Sequence, residues 1–175
     1  MSRIIWKAVA LALVFSLVVS QSCKLNKDVE TFKQCDPKWA NQRLGSSSTI
    51  CMYGCLVCSV AAGLKAFGLT VDGKTPDCSS LNTYMIENRA YFGNMFKWAQ
   101  AERFGVRYQG LSENVEDMKK ALCGQKLVML NVDNGNHWVM AVEVVGNTWT
   151  VVNPGPNKLT YESSEIKRGG IYKLA

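Results

Sequence analysis

The stretch ICMYGCLVCS, residues 50–59, sets three cysteines in ten residues with the spacing Cys51-x3-Cys55-x2-Cys58. Three chemistries are open to such a triplet. It could hold a metal or cluster, staple a small secreted fold, or include a nucleophile. Each choice calls for a different fold around it.

The compartment is the first discriminator. Arg3 and Lys7 precede the apolar run AVALALVFSLVV, which ends in the small polar residues SQS. A charged start, an apolar core and a small-residue end make a secretory signal peptide over residues 1–22, with cleavage after Ser20 or Ser22. The run is short for a membrane span, and the residues before Cys23 do not form the usual lipid-acceptor sequence. The mature protein is expected to be secreted and free of the membrane. Seven cysteines remain: Cys23, Cys35, Cys51, Cys55, Cys58, Cys78 and Cys123. In an oxidising compartment thiols pair, and an odd count leaves one over.

The metal reading fares poorly there. C-x3-C-x2-C is the spacing of cluster-binding radical enzymes, which are reduced, intracellular and longer than this chain. A zinc site could recruit Cys35 or Cys78, but no C-x2-C partner pair exists, and the only histidine, His137, is distant in sequence. No metal and no cofactor is expected. Cys51 and Cys58 read as half-cystines. With Cys55 set aside, the other six cysteines allow fifteen pairings, and spacing does not choose among them.

Cys55 differs from its neighbours. Gly54 lets the chain turn tightly just before a helix. A cysteine at a helix N-terminus meets free amides and the positive end of the helix dipole, which lower a thiol pKa and favour the attacking thiolate. A nucleophile then needs a base and the base an orienting acceptor. His137 stands where a loop enters the strand HWVMAVEVV. The Gly146-Asn147 hairpin signal returns the chain along TWTVVN, so Asn153 comes back beside His137. Counted from that turn, His137 faces residue 156 and Asn153 lies about one pair along the ladder.

The remaining segments fill in an α+β chain. Residues 23–50 read as mostly irregular. Helices are expected over 56–67, stopped by Gly68; over 79–88, with Leu81, Tyr84 and Met85 on one face; over 94–104, ended by Gly105; and over 113–122, capped by Ser112. VRYQG, KLVMLNV, HWVMAVEVV, TWTVVN and GGIYKLA read as strands. With 175 residues, 47% apolar and 19% charged, the chain is large enough for one core. Its net charge of +6 falls to +4 without Arg3 and Lys7. The basic residues are dispersed and form no stripe with aromatics, so no nucleic-acid partner is expected.

Taken in order, QCDPKWANQRLG, ICMYGCLVCSVAAGLKAFGL, TPDCSSLNTYMIENRAYFGNMFKWAQ, GQKLVMLNV and NHWVMAVEVVGNTWTVVNPG resemble the C39-like papain-fold cysteine peptidase family over about residues 34–156. The resemblance implies a papain-like cysteine peptidase fold, with N-terminal helices packed on a C-terminal antiparallel sheet. Residues 34–175 would form that domain, preceded by an N-terminal segment, 23–33. It implies Cys55 as nucleophile, His137 as general base, Asn153 as its orienter and Gln34 as an oxyanion-hole side chain. Asn153 stands where the family often has aspartate before proline, and Gln34 lies farther ahead of the cysteine than in the compact motif. The expected function is secreted peptide or amide hydrolysis on a peptide or protein substrate. The rival is a disulfide-stapled binding protein on the same fold without turnover.

Overall fold

A computed structural model describes residues 22–175. The expected signal segment, 1–22, lies outside the described residues apart from Ser22. The chain mixes helices with an antiparallel sheet, as the α+β reading expects, but two strands of that sheet, Ser22–Lys24 and Val106–Ser112, precede the last α-helix, Val115–Cys123.

Strand β1 (Ser22–Lys24) opens the described chain. A small ribbon, β2 (Arg43–Leu44) with β3 (Ser48–Thr49), leads into the single turn α1 (Ile50–Tyr53). The region 23–50 is mostly irregular, as expected, apart from these three short strands. Helix α2 (Cys55–Ala66) follows at once, and its first ten residues, Cys55 to Leu64, are all buried. A helix apolar on every side belongs inside a core. Its small residues allow close approach to the sheet: a Cβ at Gly63 would lie 2.9 Å from the Leu127 side chain and 3.2 Å from Met140 Sδ. Helix α3 (Cys78–Glu87) starts where Asp77 accepts from the Ser80 amide while Ser80 Oγ accepts from the Asp77 amide, a reciprocal cap. Leu81, Tyr84 and Met85 are buried on one face, as their spacing predicts.

The helix expected over 94–104 does not form as such. Gly93, with φ 61°, turns the chain so that β4 (Tyr91–Phe92) pairs with β5 (Met95–Phe96). Only Trp98–Phe104 is helical, as a 3-10 segment that ends at the expected Gly105, φ 85°. The apolar spacing of Phe96, Ala101 and Phe104 fits a helix, but the hairpin turn at Gly93 takes the first residues of the window.

After β6 (Val106–Ser112), helix α4 (Val115–Cys123) is capped by Asn114, whose Oδ1 accepts from the Glu116 amide. The expected cap, Ser112, instead ends β6 and accepts from the Asn114 amide. Then come β7 (Leu127–Val132), β8 (His137–Val145), β9 (Thr148–Val152), β10 (Thr160–Glu162) and β11 (Arg168–Leu174). They form one antiparallel sheet in the order β10-β9-β8-β7-β11-β6, with β1 added on the second half of β8. Leu25 and Phe32, in the N-terminal segment, share the single core with the helices and the sheet.

Two details of this frame position the site. The β8–β9 ladder shifts by one residue between Ala141 and Glu143, a bulge inside the hairpin. On β11, a Cβ at Gly170 would lie 2.3 Å from the Trp98 ring, so glycine lets that indole lie against the strand. Trp98 stacks on Tyr108 and meets Trp138 edge-on at 5.1 Å between centroids.

Three disulfides are present: Cys23–Cys123, Cys35–Cys51 and Cys58–Cys78. Cys51 and Cys58 are staples, as read from the sequence, and the triplet cannot offer three thiolates. Cys55 is the free cysteine, and it is buried. No helix among the described residues is long and apolar enough to cross a membrane.

Candidate active site

Gly54 joins α1 to α2 with φ −81°, an ordinary value. Glycine is needed there for space rather than for a left-handed turn: a Cβ would sit 2.4 Å from the Ile50 carbonyl oxygen and 2.6 Å from Ile50 Cγ2. The Gly54 amide donates to that same carbonyl at 2.7 Å. No side chain caps α2, so its first amides are left for other acceptors. Cys55 opens the helix. Its sulphur faces the backbone amides of Trp138, Leu56 and Cys55 itself. Burial nevertheless pushes the Cys55 thiol above its ordinary pKa, and the three amides only partly offset this. The lowering expected from the helix N-terminus is outweighed because the sulphur has left water. The β8–β9 ladder ends at the Met140–Val152 pair, and beyond it α2 takes over the Trp138 backbone. The Trp138 amide points at Cys55, and Ser59 Oγ, one turn along, donates to the Trp138 carbonyl at 3.3 Å.

His137 is the residue before that amide. Its Nε2 lies 2.8 Å from Asn153 Oδ1. The orientation of the Asn153 amide is settled by neighbours that can act in only one sense. The Gly155 amide, a donor, is 2.9 Å from Oδ1, and the Lys158 carbonyl, an acceptor, is 2.8 Å from Nδ2. Asn153 Oδ1 must therefore accept from His137, so Nε2 carries the hydrogen and a neutral ring keeps its lone pair on Nδ1. Asn153 is fully buried. Behind it, Nδ2 also reaches Tyr161 Oη at 3.4 Å, and Tyr161 donates to Asp133 Oδ2 at 3.3 Å. Burial and the adjacent Asp133 charge push Tyr161 up to about 12, so the phenol stays protonated.

The bulge in β8 corrects the register expected from the hairpin. The ladder shifts by one residue at the bulge and stops at Met140–Val152, and past its end Gly155 comes against the His137 ring. A Cβ at Gly155 would lie 2.9 Å from His137 Cε1 and 3.1 Å from Nε2. Gly155 is a site residue that the sequence reading missed, although a glycine between two prolines in NPGP was a visible signal. Asn131 is another. Buried on β7, it donates through Nδ2 to the carbonyls of Gly135 and His137, both at 3.0 Å. It thereby braces a turn in which Asp133, Asn134 and Gly135 all have positive φ.

Gln34 is brought to the site by the Cys35–Cys51 disulfide, which overcomes its distance in sequence. Its Nε2 donates to the Cys51 carbonyl at 2.6 Å, and its backbone amide donates to the Pro154 carbonyl at 2.9 Å. It therefore lies between the segment leading to Cys55 and the turn after Asn153. Gln34 Oε1 is buried with no hydrogen-bond partner among the described residues. Next to it, Lys33 Nζ donates to the carbonyls of Asn153 and Gly155 at 3.0 Å each and to Asn157 Oδ1 at 3.1 Å. The structure thus brings His137 and Asn153 into contact, sets Cys55 against the residue beside His137, and ties Gln34 to Cys51.

Cys55 lies in a groove of about 560 Å³, walled by Tyr53, Phe92, Met95, Trp98 and Trp138. A polypeptide laid in such a groove would have apolar walls for its side chains and the sulphur within the same cleft. Among the described residues no group of histidine, cysteine or carboxylate side chains could hold a metal ion. Compared with family models, with curated proteins and with solved structures, the chain finds no match.

Proposed function

We propose that the protein is a secreted cysteine peptidase or amide hydrolase of papain-like, C39-like type. The observation that supports the proposal is the neighbourhood of three features along the chain and the fold. Cys55 is the free cysteine, it opens α2 against the Trp138 amide, and the neighbouring His137 is oriented by Asn153. The three disulfides are consistent with an oxidising compartment.

In this reading the raised thiol starts protonated. His137 Nδ1 takes the proton from Cys55 as sulphur attacks the substrate carbonyl, and the carbonyl π electrons move onto oxygen. The Cys55 amide and the second N–H of Gln34 Nε2, left over from its bond to Cys51, stabilise the oxyanion. The tetrahedral species collapses, the C–N bond breaks, and His137 returns the proton to the leaving amine. Water, deprotonated by His137, then attacks the thioester, and the released sulphur recovers its proton. Asn153 keeps Nε2–H engaged throughout, so one tautomer of the neutral ring is maintained.

The test is Cys55-dependent chemistry in the unreduced mature protein. Alkylation with iodoacetamide, mapped by mass spectrometry, should mark Cys55 alone. Hydrolysis of a peptide library should vanish in Cys55→Ala and in His137→Ala. Label on another cysteine, Cys55 found in a disulfide, or hydrolysis that survives Cys55→Ala defeats the proposal. Labelling of Cys55 with no hydrolysis of any peptide would favour the non-catalytic binding protein.

A further inference from the structure

The groove beside Cys55 has a chemical asymmetry. Its walls are aromatic and apolar, and its rim is left open: Phe92 is 71% exposed, Met95 63% and Tyr53 58%. Surface of this kind, contiguous with a candidate nucleophile, calls for an apolar occupant. Two cations, Lys97 and Arg168, also line it, and no aspartate or glutamate does. Neither takes part in an ion pair among the described residues. Lys97 Nζ donates one hydrogen to the Arg89 carbonyl at 2.9 Å, which leaves two. The Arg168 guanidinium sits 5.9 Å from the centroid of the Trp138 ring. A planar guanidinium over an indole, beside apolar walls, is well suited to a carboxylate, because low-dielectric walls leave the attraction less screened than on open surface.

The geometry points to a substrate class for this site: a peptide segment carrying an aspartate or glutamate side chain next to a bulky apolar residue. The apolar side chain packs on the Trp98–Trp138 wall and the carboxylate meets Arg168 and Lys97, with the scissile carbonyl at Cys55. This inference rests on the peptidase reading for its chemistry, but its recognition half can be measured without turnover.

The experiment uses peptides acetylated at one end and amidated at the other, so that terminal charge plays no part. Each aspartate peptide with a neighbouring phenylalanine is paired with its asparagine isostere. With wild-type protein, kcat/KM for the aspartate member should exceed that of its isostere by about tenfold at one position, the scale of one charge-assisted hydrogen bond. The same preference should appear in the Kd measured on Cys55→Ser protein. Arg168→Gln and Lys97→Gln should each shrink it, Arg168→Glu should turn it toward lysine peptides, and added salt should weaken it. Cys55-dependent hydrolysis with equal rates across every pair, or a preference unchanged in both glutamine variants, overturns the inference and leaves the peptidase reading intact. A binding preference in Cys55→Ser protein with no hydrolysis by wild type supports the recognition half of the inference and removes the peptidase reading.

Discussion

At the scale of single residues, the imidazole of His137 is held by contacts that leave it little freedom. Asn153 takes one edge, and Gly155 lies where any side chain would meet the ring. Gly155→Ala should therefore lower kcat/KM by about 10- to 100-fold while costing only about 1 kcal/mol of stability, since it shifts the proposed base rather than the core. Steady-state kinetics alongside thermal melts will separate the two effects. Cys55 supports a second expectation. Burial raises its thiol pKa, so the proton is retained at neutral pH and lost only on the alkaline side of an ordinary cysteine. Its alkylation by iodoacetamide should be slow near neutral pH and accelerate as pH rises. A rate already maximal in mild acid would show a preformed thiolate–imidazolium pair instead. Cys55, His137 and Asn153 were legible in the sequence because each belongs to a short local signal: a cysteine after glycine, a lone histidine at a strand start, an asparagine returned by a hairpin. The pKa direction was not legible, because burial of the sulphur depends on β8 and on the groove, which belong to other parts of the chain. Gly155 was missed because the bulge within β8, which no local signal marks, moves the register by one.

At the scale of elements, the junction of α1 and α2 sets the position of the sulphur. The two helices are separated only by Gly54, whose amide closes on the Ile50 carbonyl. Gly54→Ala places a methyl group against that carbonyl and against the Ile50 side chain, both rigid and buried. The helices must separate, with an expected cost of about 1–3 kcal/mol measured by denaturant titration, and a parallel loss of Cys55-dependent hydrolysis. The long periodic elements were readable from the chain: α2, α3, β7, β8, β9 and β11 stand where hydrophobic period and turn residues put them, whereas the three-residue β10 is too short to show a period and was not read. The miss over 94–104 has a physical cause. An apolar spacing that suits a helix is equally served by a tight hairpin followed by 3-10 turns, and the choice falls to contacts from elsewhere. Here Asn94 accepts from the amides of Ser46 and Ser47, a tie between distant loops that holds the β4–β5 turn in place.

At the scale of the whole molecule, the disulfides divide their work between stability and the site. Cys23–Cys123 spans 100 residues and Cys35–Cys51 spans 16. Chain-entropy arithmetic gives about 4.7 kcal/mol for a loop like the first and about 3 kcal/mol for one like the second. Replacing Cys23 and Cys123 by serine should therefore lower the melting temperature more than replacing Cys35 and Cys51. The order should reverse for kcat/KM, because only Cys35–Cys51 keeps Gln34 against the segment leading to Cys55. Along the chain the three bridges nest without crossing: two local loops sit side by side inside the long one. Short loops close sooner than long ones. During oxidation, a molecule that has made both local bridges still holds three thiols, Cys23, Cys55 and Cys123. Its characteristic error is then a bridge between Cys55 and either end of the long loop, which ties up the cysteine that the native fold leaves free. Undoing it takes only one exchange, in which the remaining thiolate attacks the misplaced sulphur and Cys55 leaves. Alkylation of refolding samples at intervals should catch the two local bridges first, and should show Cys55 released only as Cys23 and Cys123 find each other.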